Sequence, residues 1–157
     1  MHPHAALLDR FYGAFARRDG AAMAACYTPD ATFSDPVFPG LSGPQVGGMW
    51  RMLCERGKDL QVVHSAVQAD DAGGTAHWEA DYTFSQTGRP VHNVIDARFG
   101  FRDGLIASHV DSFDLWAWTR MALGASGLLL GWSPLVQGPL RKKARQGLDA
   151  WMAKHPA

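Results

Sequence analysis

GTAHWEADYTFSQTGRPVHNVIDARFGFRDGLIASHVDSFDLW, residues 74–116, decides the fold. It reads as two successive antiparallel hairpins. The second turns on Asp103-Gly104, the dipeptide that most favours a two-residue type I′ turn, so Arg102 is expected opposite Leu105. Counting outward places Arg98 opposite His109 and Asp96 opposite Asp111. Side-by-side carboxylates destabilise a sheet unless one holds a proton or meets a cation, so such a pair suggests a function. The first turn, Gln86 to Arg89, takes its parity from the apolar pattern. Trp78, Ala80, Tyr82 and Phe84 alternate on one strand, Ile95, Ala97, Phe99 and Phe101 on the next, with Ile106 and Val110 on the third. The opposite face then collects His77, Glu79, Asp81, His92, Asp96, Arg98, His109, Asp111 and Phe113. A charged face of this kind is either the wet side of a half-covered sheet or the lining of a pocket.

The rest of the chain frames that sheet. Its 157 residues suit one domain with a substantial core. Fifteen basic residues balance fifteen acidic ones, which gives no electrostatic reason to expect a nucleic-acid partner. From Arg141 onward, however, five basic residues face a single acidic one, Asp149. No apolar run is long enough to span a bilayer, and Met1-His2-Pro3-His4 does not resemble a signal peptide, so a cytoplasmic location is expected. Cys26 and Cys54 sit among apolar neighbours at no zinc-binding spacing and read as buried free thiols.

Leu7, Leu8, Phe11 and Phe15 recur at helical spacing and predict a first helix from about Ala5 to Arg17. Asp19 is suited to cap a second helix ending near Tyr27. Ala31 to Asp35 reads as a short strand, followed by a loop at Pro36, Pro39 and Gly40. Ser42-Gly43-Pro44-Gln45 has the form of a capping box before a third helix carrying Val46, Met49, Trp50 and Leu53. Asp59 to Asp70 reads as a strand leading into the hairpins. After a helix from about Trp116 to Gly124, a last basic helix is expected from about Pro139 to Lys154. It reads as docked on its own domain through Leu140, Leu148 and Trp151 rather than on a membrane, since its apolar stripe is short. The expected division is a domain over residues 1–116 and a helical extension over 117–157 packed on it.

This order, over about Leu7 to Trp116, resembles the nuclear transport factor 2-like superfamily, which includes ketosteroid isomerases, limonene epoxide hydrolases and SnoaL-like polyketide cyclases. The resemblance implies an α+β fold: a cone-shaped, strongly curved antiparallel sheet with three N-terminal helices enclosing a pocket. Asp30-Ala31-Thr32-Phe33-Ser34-Asp35-Pro36 is similar to the isomerase segment carrying the catalytic base, which falls on Asp35. Val94-Ile95-Asp96-Ala97-Arg98-Phe99 is similar to the segment with a second, protonated carboxyl, which falls on Asp96. The chain departs from the isomerases at Phe11, where they carry a tyrosine donor, while Tyr27 matches a supporting tyrosine. The epoxide hydrolases match at Thr87-Gly88-Arg89 and Val110-Asp111-Ser112-Phe113-Asp114-Leu115. Their two catalytic carboxylates fall on Asp111 and Asp81, but Glu79 stands where they carry the bridging arginine.

Together the resemblance and the register favour the charged face as the pocket lining, and the Trp78/Tyr82/Ile95/Phe99/Val110 face as a homodimer surface. The expected site comprises Asp35, Asp96, Asp111 and His109 as acid–base groups, with Phe11, Tyr27, Trp50, Asp81, Arg98 and Phe113 around a small apolar ligand. The expected chemistry is cofactor-free proton transfer on a carbonyl compound, of the isomerase or cyclase kind, with Arg98 lowering the His109 pKa. Non-catalytic ligand binding and epoxide hydrolysis are the alternatives. No metal is expected: His92, His109 and Asp111 are a weak candidate set with no HxH or HExxH pair on these strands, and His2-Pro3-His4 reads as part of a disordered terminus.

Overall fold

The computed structural model describes residues 1–156. Helix α1 (Pro3–Ala16) starts two residues earlier than its apolar spacing suggests, because Pro3 occupies the first turn and the His2 side chain accepts from the His4 amide. Asp19 caps α2 (Gly20–Ala24), accepting from Ala22. Strand β1 (Tyr27–Ser34) and the two-residue β2 (Leu41–Ser42) precede α3 (Pro44–Arg56). Only half of the expected capping box forms: Gln45 accepts from the Ser42 amide, but Gly43 is the cap residue.

Strands β3 (Gln61–Ala69), β4 (Gly74–Phe84), β5 (Arg89–Arg102) and β6 (Leu105–Ser112) follow, then α4 (Leu115–Leu123), α5 (Ala125–Leu130) and α6 (Pro134–Lys154). Helix α6 begins at Pro134 rather than Pro139. Both prolines suit a first turn, and the earlier one takes it. Leu148 and Trp151 of α6 are buried, and the Trp151 indole donates to Glu55 of α3 at 2.7 Å. No helix among the described residues is long and apolar enough to cross a membrane. Both cysteines are buried and unpaired.

The strands form one sheet in the order β2-β1-β6-β5-β4-β3. Two expectations change here. The sheet is mixed, because β1 runs parallel to β6, with Phe33 beside His109. It is also an open ladder with edges at β2 and β3, not a strongly curled one.

Two corrections matter more. The Asp103-Gly104 turn pairs Arg102 with Leu105 as counted, but a bulge follows between Phe101 and Gly100. Phe101 pairs with Ile106 while Gly100 pairs with Ser108, so Ala107 is the extra residue. From there the register slips by one: Phe99 faces His109, Ala97 faces Asp111 and Asp96 faces Ser112. The Asp96/Asp111 and Arg98/His109 pairs therefore do not form. Period-two alternation turns His109 and Asp111 to the apolar side and Val110 outward. Glycine suits position 100, since a Cβ there would stand 2.5 Å from the Ser108 hydroxyl.

The apolar face is also not a partner surface. Trp78, Ala80, Ile95, Ala97, Phe99 and Ile106 form the core with Leu7, Leu8, Phe11, Phe15, Met49 and Trp50 of α1 and α3. The expectation of a dimer through this face loses its premise, because the domain's own helices cover it. A second cluster joins Val91 to Leu115, Trp118 and Ala122 of α4.

Helix α5 lies against α4 through two glycines. A Cβ on Gly127 would stand 2.0 Å from the Thr119 carbonyl oxygen, and one on Gly131 2.0 Å from the Thr119 hydroxyl. Gly131→Ala is therefore expected to cost about 1–3 kcal/mol through overpacking, measured by urea unfolding, with no loss of β-structure by circular dichroism.

Candidate functional site

A cavity of about 520 Å³ opens between the inner face of the sheet and helices α3, α4 and α6. Its size is usual for a small-ligand site, and most of its wall is apolar. Trp50, Trp78, Phe38, Phe113 and Trp118 contribute aromatic surface. Polar residues in the lining include Asp35, Tyr82 and Asn93.

Asp35 enters the wall because β1 ends one residue before it and the chain turns at Pro36. Its Oδ1 accepts from the Val37 and Phe38 amides at 2.7 and 2.6 Å, which fixes the carboxyl. Burial pushes its pKa up to about 6, the Asp111 charge adds to that, and the two amides and His109 oppose it. Tyr82 and Asn93 point to the same side because β4 and β5 pair Ala80 with Asn93 and Tyr82 with Val91. The Trp118 indole donates to the Tyr82 oxygen at 2.6 Å, leaving the phenol proton free to be given to a ligand. Burial raises the Tyr82 pKa, and the Asp35 charge raises it further.

His109 and Asp111 lie beneath the cavity wall, inside a hydrogen-bonded chain. The Trp50 indole donates to the Tyr27 oxygen at 2.8 Å, and Tyr27 contacts His109 Nδ1 at 2.7 Å. With its oxygen accepting from Trp50, the Tyr27 hydroxyl is free to donate to His109 Nδ1. The ring proton is then on Nε2, donated to Asp111 Oδ1 at 2.8 Å. Trp78 also donates to that oxygen, at 3.4 Å. Burial, then the Asp111 charge, raises the pKa of both Tyr12 and Tyr27. Asp111 thus acts on three interior groups, Tyr12, Tyr27 and Asp35, each time less than burial does. Because it also raises Asp35, Asp111→Asn is expected to move the acid limb of any Asp35-dependent pH profile downward, read from rate against pH.

The structure divides the sequence-predicted residues into three groups. Asp35, Trp50 and Phe113 line the cavity. Tyr27, His109 and Asp111 form the layer below, and Phe11 packs edge-on against Tyr27, Trp50 and His109 without reaching the wall. Asp96, Asp81 and Arg98 lie on the outer face, with the Asp96 side chain 81% exposed. There His77 links Asp96 and Glu79 at 2.9 and 3.2 Å, and His92 links Asp81 and Glu79 at 2.7 and 3.1 Å. These carboxylates raise the pKa of both histidines. Asp81 and Asp111 thus stand on opposite faces and cannot act on one epoxide. Arg98 does not approach His109, and His92 does not converge with His109 and Asp111 on a metal. His2, His4 and Asp71 offer ligand atoms within 4.8 Å of one another, but none of them lines the cavity.

Sequence reasoning missed Tyr82, Asn93 and Trp118. The first belonged to a face taken for a partner surface. Asn93 interrupts the apolar alternation of β5 between Val91 and Ile95, which was a legible sign of a polar group directed into the interior.

The raised Asp35 pKa has a consequence for stability. An aspartate in an unfolded chain titrates near about 3.9, so between about 4 and 6 the native state binds more protons than the unfolded one. Stability must then fall as pH rises through that window, by up to about 3 kcal/mol, and stay reduced above it. An asparagine oxygen retains the two amide bonds without the buried charge. Asp35→Asn should raise the urea midpoint at pH 7.5 and leave it unchanged at pH 4; equal shifts at both would contradict the assigned burial cost.

A mixed sheet covered by helices in this order is the architecture of the nuclear transport factor 2-like fold. The profile of the SnoaL-like domain matches residues 8–109, and the chain belongs to that family. Comparison with curated proteins found no match. Among solved structures, it is similar to an NTF2-like protein of unknown function from Burkholderia pseudomallei, at 18% identity and TM-score 0.68 over 77% of this chain and 98% of that one. It is similar to an LEH-like epoxide hydrolase from M. tuberculosis, at 20% identity and TM-score 0.63 over 85% and 95%. A protein with a ketosteroid isomerase-like fold from Catenulispora acidiphila, in complex with trimethylamine, aligns at 14% identity and TM-score 0.65 over 74% and 91%. At these identities the likeness establishes the fold.

Proposed function

We propose that the cavity binds a small, largely apolar carbonyl compound and that Asp35 moves a proton on it without a cofactor. The observation that carries this reading is a single immobilised carboxyl in an apolar cavity wall, with a pKa of about 6. Such a group is mostly ionised at neutral pH yet basic enough to take a proton from carbon. In the proposed step, the Asp35 carboxylate removes a proton from the carbon next to the carbonyl, and the C–H electron pair moves to form an enolate. Hydrogen bonds from the Tyr82 hydroxyl and the Asn93 amide support the charge on its oxygen. Asp35 then returns the proton to the same carbon, or to the far carbon of a conjugated system, which shifts a double bond.

Asp96, expected as the neutral-acid donor, is replaced in this role by Tyr82, oriented by Trp118. The test is solvent deuterium incorporation into cyclohex-3-en-1-one, together with its conversion to the conjugated isomer. Tyr82→Phe should reduce the rate by roughly 10- to 1000-fold, the range for loss of one donor to a developing oxyanion. A ketone that binds but neither exchanges nor isomerises would favour the binding-protein reading.

A further inference from the structure

The cavity is lined by three charged residues, and their arrangement is uneven. Asp35 is held by the backbone of its own turn. Arg56, at the C-terminal end of α3, and Lys143, on α6, form part of the opposing helical wall, and both are exposed. Among the described residues neither makes an ion pair or a side-chain hydrogen bond. The Arg56 guanidinium reaches α6, lying 3.7 Å from where a Cβ on Gly147 would stand, one turn along from Lys143. Neither is paired with Asp35 among the described residues.

We propose that Arg56 and Lys143 form an anion-recognition rim, so that the ligand of this cavity is an amphiphile: an apolar body inside and a carboxylate-type head at the α3–α6 edge. This deepens the reading of the cavity as a small-ligand site and names the ligand class. The orientation follows from charge. A head group directed inward would meet the ionised Asp35 in an apolar enclosure, where like charges repel strongly. A head at the rim meets two cations whose charge is otherwise unused, in a setting wet enough that neither pays a large desolvation cost. The aromatic wall of Trp50, Trp78, Trp118, Phe38 and Phe113 accepts the apolar body. An anion at a solvent-exposed two-cation rim is worth about tenfold in affinity.

The test is calorimetric titration with dodecanoate and with dodecan-1-ol, which share a chain and differ in head charge. Dodecanoate should bind about tenfold more tightly, and the preference should shrink with added salt. Arg56→Ala combined with Lys143→Ala, both exposed, should abolish the preference by weakening dodecanoate more than dodecanol. Ala144→Trp, which fills the cavity from α6, should abolish binding of both. Equal affinity for acid and alcohol, an undiminished preference in the double variant, or undiminished binding by a folded Ala144→Trp protein would each overturn the proposal. None of these readouts involves Asp35. Loss of the proton-transfer reading alone would show as Asp35→Asn protein that exchanges deuterium at the normal rate while the dodecanoate preference persists.

Discussion

Asp35→Asn is expected to slow deuterium exchange at a bound ketone by roughly 100- to 10,000-fold, the usual contribution of a positioned general base. The substitution retains the hydrogen bonds to the Val37 and Phe38 amides through the remaining oxygen, so geometry is preserved and basicity is lost. The pH dependence of the native protein supplies an independent check. A carboxylate base works only when ionised, so the rate should rise with pH to a plateau above about 6, following the elevated Asp35 pKa. A limb centred near 4 would mean that Asp35 is more hydrated than its cavity setting implies. Normal exchange by the asparagine variant would remove Asp35 from the chemistry. The same variant is expected to gain stability at neutral pH, and this pairing of lost activity with gained stability identifies a costly functional charge.

Trp50→Ala should give the largest loss of stability, roughly 3–5 kcal/mol by urea unfolding, as large-to-small changes at buried aromatic positions do. Trp50 is 2% exposed and meets Phe11, Phe15 and Phe33 edge-on, with ring centroids 5.0–5.6 Å apart, while stacking 6.0 Å from His109. Its indole also donates to Tyr27, so truncation leaves a cavity and removes a hydrogen bond from the chain that ends at Asp111. Trp50→Phe fills much of the volume but supplies no donor, and should cost less than half as much. A loss below about 1 kcal/mol for the alanine variant would show that the interior collapses around the gap.

Much of the fold was legible because its signals are local. Helix α1 follows from Leu7, Leu8, Phe11 and Phe15 at helical spacing, and α2 from the Asp19 cap. Alternation on β4 and β5 correctly grouped Trp78, Ala80 and Tyr82 with Ile95, Ala97 and Phe99. The site was less legible, for two physical reasons. Strand counting carries any slip forward, and the Gly100 bulge moved every later residue of β6 to the other face. Gly100 itself was the available signal, since a glycine inside a strand often marks a bulge. Alternation also groups residues by face without saying which face the helices will cover.

The sequence by itself therefore determined the element order, the superfamily and the place of Asp35 at the end of a short strand, because turns, caps and alternation act between near neighbours in the chain. Tertiary structure alone decided that the apolar face lines the interior, that His109 and Asp111 join Tyr27 and Trp50 beneath the cavity, and that Asp96, Asp81 and Arg98 remain outside. Helices α1 and α3 must bury their own apolar stripes, and the free energy of that burial selects the face they cover.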